Sequence, residues 1–183
     1  MRNWKRICLS GVAVIIAAFF ASCMFTPIEA RKIEDIQGTY ELTEYVITEG
    51  ESSSKHVGDF DFFYFVMKND SSLGISFIFK EKGGEIQKND TSYIVRYKFG
   101  NQKYVEEIKI IKFLMPCDGE EFMVNYFTVS PDDKLVCQKF IYGKGEDGAT
   151  KAEKIIQVVF TKVSKDCTLE SVEKVIGYTF GDE

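Results

Sequence analysis

The stretch "IEDIQGTYELTEY" (33–45) decides how the folded part of this chain begins. Ile33–Ile36 reads as a short helical lead into Gly38. From there Tyr40, Leu42 and Glu44 alternate with Thr39, Glu41, Thr43 and Tyr45. Alternation of this kind is the two-residue period of a strand with one face buried.

Reading outward from that strand (38–48), the same period recurs along the chain. Further strands are expected at 59–68, 75–82, 91–99, 103–114, 121–129, 134–142 and 153–163. The connections are polar and turn-like: "EGESSSKHVG" (49–58), "NDSSLG", "GGEIQKND" (83–90), "GNQ", "MPCDGE" (115–120), "SPDD" (130–133) and "GKGEDGATKA" (143–152). Asn, Asp, Ser, Gly and Pro favour turns through their backbone preferences and local hydrogen bonds. The period then changes. In "CTLESVEKVIG" (167–177), Leu169, Val172, Val175 and Ile176 share one helical face, with Thr168 as N-cap and Gly177 as C-cap.

Eight strands with no intervening helix exclude parallel βαβ units and impose an antiparallel meander. Closing such a sheet removes both of its edges. The expected fold class is therefore all-β: an eight-stranded up-and-down barrel with a short C-terminal helix. A barrel of that size holds packed side chains or one small ligand. The second strand is apolar on both faces, with Phe60, Phe62, Tyr64 and Val66 on one and Phe63, Phe65 and Met67 on the other. One face can line the interior while the other packs under the helix or against a partner. Sixteen Phe and nine Tyr suit such strands.

The first 25 residues follow different rules. Arg2, Lys5 and Arg6 precede the apolar run "ICLSGVAVIIAAFFA" (7–21), the pattern of a secretory signal. "FASC" (20–23) resembles a bacterial lipobox, in which the cysteine becomes the lipidated first residue of the mature chain. An uncleaved anchor and an ordinary secretory cleavage stand as alternatives. The domain expectation is a lipoprotein signal peptide over 1–22, lipidated Cys23 with its tether over 23–36, and the barrel over 37–183. Localisation follows as the cell envelope, with the membrane as partner through the lipid. Loss of residues 1–22 takes the formal charge from −5 to −8, because Arg2, Lys5 and Arg6 leave and no acidic residue does. An acidic protein repels phosphate backbones, which argues against nucleic acid as a partner.

Outside the leader, Cys117, Cys137 and Cys167 form an odd set without C-x-x-C spacing. That spacing supports neither a thioredoxin-type site nor a zinc ribbon. In a meander, Cys117 and Cys167 fall at opposite ends of the barrel. A strand of about nine residues spans roughly 30 Å, whereas a disulfide needs Cα atoms within about 7 Å. These two are therefore expected to be unlinked. Cys137 reads as a small buried apolar residue.

These parts resemble the lipocalin-like families of the calycin superfamily, over roughly residues 33–177. Such proteins open with a short helical turn and Gly-x-Trp at the base of the first strand; here the triplet is Gly38-Thr39-Tyr40. "VVFTKVS" (158–164) is similar to their last strand, in which a basic residue covers the first-strand aromatic. The resemblance implies that Gly38, Tyr40 and Lys162 are structural: the glycine lets the entering chain approach the barrel, Tyr40 plugs the closed end and Lys162 covers it. With the first strand leaving the closed end, the parity of the meander places 49–58 as a lid over the open end, rimmed by 115–120 and 143–152.

Catalytic patterns are sparse. His56 is the one histidine and lies in the polar 49–58 loop. No G-x-S-x-G, H-E-x-x-H or phosphate loop occurs. "SPDD" and "CDGEE" gather carboxylates without EF-hand spacing. No enzyme activity, metal or cofactor is expected. The leading expectation is a non-enzymatic binding module holding a small apolar or amphipathic ligand in the barrel. Its inward contacts would be Leu42, Phe62, Tyr64, Tyr93, Tyr104, Phe122, Tyr126 and Phe140. The alternative is a cell-envelope interaction lipoprotein with a filled barrel that docks a protein partner. The third reading, an enzyme on the same fold, needs a polar cluster at the mouth near His56. A cavity separates the first from the second, and an exposed apolar patch favours the second.

Overall fold

A computed structural model describes residues 32–68, 74–98, 104–117, 120–144 and 150–181. Cys23, the leader and most of the tether lie outside the described residues. Helix α1 (Ile33–Ile36) leads into β1 (Gly38–Glu49), β2 (Ser52–Lys55) and a 3₁₀ turn (Val57–Asp59). There follow β3 (Phe60–Met67), β4 (Gly74–Glu81), β5 (Ile86–Tyr97) and β6 (Val105–Ile110). After these come β7 (Leu114–Cys117), β8 (Glu120–Met123), β9 (Tyr126–Val129), β10 (Lys134–Lys144), β11 (Thr150–Ser164) and α2 (Leu169–Ile176).

Strands β1, β3, β4, β5, β6, β9, β10 and β11 form a closed antiparallel barrel, sealed by β11 pairing with β1 from Thr39↔Ser164 to Glu49↔Lys154. Two expectations are corrected. The 49–58 loop is a hairpin, since β2 pairs with the far end of β1 and Val57 packs on the core. The 103–114 and 121–129 strands are each broken, and among the described residues β7 and β8 pair only with each other. The break has a clear cause. Phe113, Met115, Phe122 and Val124 are all buried, and they reach the interior only if the chain leaves the wall and folds inward.

The core is aromatic. Phe65 stacks on Tyr40 at 4.7 Å and meets Phe160 edge-on at 4.8 Å. Phe63 stacks on Phe79 at 4.8 Å, and Phe113 lies flat on Phe77 at 3.6 Å. Offset and edge-to-face rings of this kind stabilise by about 0.5–1.5 kcal/mol per pair beyond the area they bury. Along β1 the register slips between Leu42 and Glu44. Tyr40 and Leu42 point inward, and then Tyr45 and Ile47 do. This β-bulge resets the parity that strict alternation predicts.

A second apolar cluster lies outside the barrel, where α2 covers Val66 and Ile78 with Val172; Phe62, Tyr64, Ile86, Leu169, Ile176 and Phe180 pack around it. Val175, expected on this face, is exposed. Thr168 occupies the N-cap without a side-chain cap bond; its N–H and hydroxyl both donate to Asp166 instead. Gly177 ends the helix in the left-handed conformation (φ 67°), as glycine readily does.

Candidate functional site

The closed end is built around Gly38. Its φ of +147° suits glycine, and a Cβ there would stand 2.3 Å from the Ser164 carbonyl oxygen and 2.7 Å from Lys162 Cε. Tyr40 is buried, and its hydroxyl donates to the Ile36 carbonyl. Lys162 Nζ sits 5.9 Å from the centre of the Tyr40 ring and donates to the Asp35 carbonyl at 2.6 Å. Gln37 Nε2 donates to the Lys68 carbonyl at 3.2 Å and to the Tyr93 hydroxyl at 3.3 Å. Tyr93 therefore belongs to this closure.

The opposite end is the mouth. There the hairpin β7–β8 folds over the barrel, and the Tyr45 hydroxyl donates to the Pro116 carbonyl. The barrel wall is incomplete on this side. β9 pairs with β10 only at Leu135↔Val129 and Val136↔Thr128. From Cys137 onward β10 continues against β11 as far as Lys144↔Thr150. Across from it, the chain before β9 has turned inward to follow the hairpin, with Val124 N–H donating to the Phe113 carbonyl at 2.9 Å. The gap is a slot of about 230 Å³ lined by Met123, Asn125, Tyr126, Cys137, Gln138, Lys139, Phe140 and Tyr142. It is smaller than the ~300–1,000 Å³ usual for drug-sized ligands.

The candidate contacts divide as follows. Leu42, Tyr93 and Phe122 point into the barrel. The inward expectation fails for Phe62 and Tyr64, which lie under α2, because the other face of β3 supplies the core. The Tyr64 hydroxyl is pushed above its usual range by burial and by Glu41, to which it donates at 3.2 Å. It fails also for Tyr126 and Phe140, exposed on the outer wall at 43% and 45%. Tyr104 is half-buried, ahead of β6. The slot nevertheless joins two of the eight, Tyr126 and Phe140, and Lys139, also a lining residue, holds its Nζ 5.6 Å from the Phe122 ring. Burial pushes the Cys137 thiol up to about 11, against an opposing pull from Lys139. Cys137 and Cys167 are free thiols.

One arrangement was not legible from spacing. His56 Nε2 is 2.8 Å from Ser54 Oγ, and its Nδ1 is 2.7 Å from Asp59 Oδ2. The order is that of a serine–histidine–aspartate relay. The setting differs, because the Asp59 side chain is 62% exposed. A solvated carboxylate is screened and stabilises an imidazolium weakly. Among the described residues, no group of three or more His, Cys, Asp or Glu is placed to hold a metal ion. No protein-family model and no curated protein matches the chain.

Proposed function

We propose that this chain is a non-enzymatic interaction module of the cell envelope: a lipocalin-like barrel, lipid-anchored through Cys23, that presents its mouth-side wall to a protein partner. The observation that carries this reading is the aromatic packing of the interior among the described residues. Phe113 on Phe77 and Phe65 between Tyr40 and Phe160 occupy the space a carried ligand would need. Among the exposed apolar residues, Leu114, Met123, Tyr126, Phe140 and Tyr142 lie together on the mouth side, each 41–62% accessible, while Ile94, Val163 and Val175 are exposed elsewhere. The described chain enters at the closed end through α1, so the mouth is the end farther from its first described residues. The acidic charge disfavours nucleic acid.

A small apolar or amphipathic ligand is the second reading, and the wall slot with Tyr126 and Phe140 favours it. Native mass spectrometry of the mature chain in detergent separates the two. The proposal expects the apo mass, unchanged by a panel of fatty acids and lipids. A stoichiometric co-purified apolar molecule would overturn it and restore the carrier.

A further inference from the structure

An open seam in a barrel has a chemical consequence. Beyond Val136, β10 runs on through Cys137–Lys144 with β11 along one side, and among the described residues no strand pairs with its other side. In an antiparallel ladder, alternate residues direct N–H and C=O to one neighbour and the rest to the other. This edge therefore offers a row of unpaired main-chain groups along about 26 Å, at about 3.3 Å per residue. Such a row is a template for another extended chain.

Natural edges are usually blunted by charge, proline or a bulge. Here the outer face of the edge carries rings. Phe140 and Tyr142 stack at 6.2 Å, and Tyr126 faces them across the slot. The edge carries Lys139 and Lys144 and no acidic residue of its own, and the Glu153 carboxylate of β11 lies against Gly143.

We infer that the Cys137–Lys144 edge takes an extended segment of a partner protein by strand addition. The segment has apolar or aromatic side chains on one face, against Tyr126, Phe140 and Tyr142, and a carboxylate on the other face, towards Lys139. This deepens the interaction-module reading and rests on it. Main-chain hydrogen bonds supply affinity in this mode, and the alternate side chains supply specificity. A second copy of the chain is the competing occupant, and its signature is a dimer that excludes peptide.

The test uses the full mature chain in detergent micelles and three labelled nine-residue peptides, read by fluorescence anisotropy. The first alternates Val or Phe with Glu. The second is the same peptide N-methylated on alternate residues, and the third carries Lys in place of Glu. The first is expected to bind, and the N-methylated form to bind about tenfold more weakly or worse, since it loses several main-chain donors. The Lys peptide should bind more weakly than the Glu peptide, and Lys139→Glu should reverse that order. Lys139 is half-buried beside Phe122, so an unchanged urea midpoint is the control that the variant folds. Equal binding of the N-methylated peptide overturns strand addition, as does no binding of any peptide. A chain that sediments as a dimer and excludes peptide overturns it in favour of a second copy. A clean apo mass without peptide binding removes this inference alone, whereas a co-purified lipid removes the interaction-module reading beneath it.

Discussion

Phe113→Ala tests whether the hairpin is part of the core or a cover over an empty barrel. Phe113 is 3% exposed, lies flat on Phe77 at 3.6 Å and meets Phe63 edge-on at 6.2 Å. Burying a phenylalanine contributes about 1.5–3 kcal/mol, and the two ring contacts add about 0.5–1.5 kcal/mol each. Phe→Ala also leaves a cavity, so the measured range of about 3–5 kcal/mol applies. Against a typical domain stability of about 5–15 kcal/mol, this is a large fraction. With an m-value of about 2 kcal/mol/M in urea, the midpoint should fall by about 2 M at unchanged m. The void is apolar and should stay dry, so saturating benzene should return part of the loss. A cost below about 1.5 kcal/mol would refute the reasoning, because a hairpin that only rests on the mouth can lose this ring and collapse or swing aside.

The remaining predictions are shorter. Gly38→Ala should cost about 2–4 kcal/mol in the same urea assay, because positive φ and a contact with the Ser164 backbone coincide there; a loss under about 1 kcal/mol would show that the closed end yields. Cys137 should resist a thiol reagent in the native protein: with its thiol at about 11, only about one molecule in a thousand is ionised at pH 8. Its rate should climb about tenfold per pH unit up to that value and jump on denaturation, and fast labelling at pH 8 would contradict its burial. Ser54 should remain unlabelled by a fluorophosphonate probe, with Ser54→Ala as the control; stoichiometric labelling lost in that variant would make the Ser54–His56–Asp59 relay catalytic and remove the non-enzymatic reading.

The strand series, its meander order and the terminal helix were legible in the sequence, because short polar turns between alternating segments leave few topologies. The facing of each strand was not. Thr43 and Asp61 sit at register slips that shift parity by one, so Tyr45 replaces Glu44 inside, and Phe63 and Phe65 take the place expected of Phe62 and Tyr64. A one-residue shift exchanges the faces of a strand, and an apolar pattern on both sides gives nothing to choose by. The 114–123 hairpin was hidden for a related reason: "FLM" (113–115) and "FMV" (122–124) are apolar on both faces, and only the burial of Phe113, Met115, Phe122 and Val124 turns the chain inward. The slot was hidden altogether, since it arises where β9 and β10 part, and separation between strands leaves no local pattern.

That separation makes the barrel unequal around its circumference, and the inequality is measurable. β11 pairs with β1 over Thr39–Glu49 and with β10 over Lys134–Lys144, whereas β9 holds β6 at three positions and β10 at two. Local opening costs less where fewer ladder bonds and buried side chains must be broken. Phe127 is fully buried and stacks on Phe65 at 5.9 Å, so β9 is held chiefly by one ring. Native-state hydrogen exchange should therefore show Tyr126–Val129 exchanging through a partial opening, with a free energy well below that of β1 and β11, which should exchange only on global unfolding. The ladder bonds of Cys137–Lys144 to β11 should remain protected while β9 exchanges, since they do not depend on it. Uniform protection around the barrel would mean that the seam is closed in solution, and the edge would then have nothing to offer a partner strand.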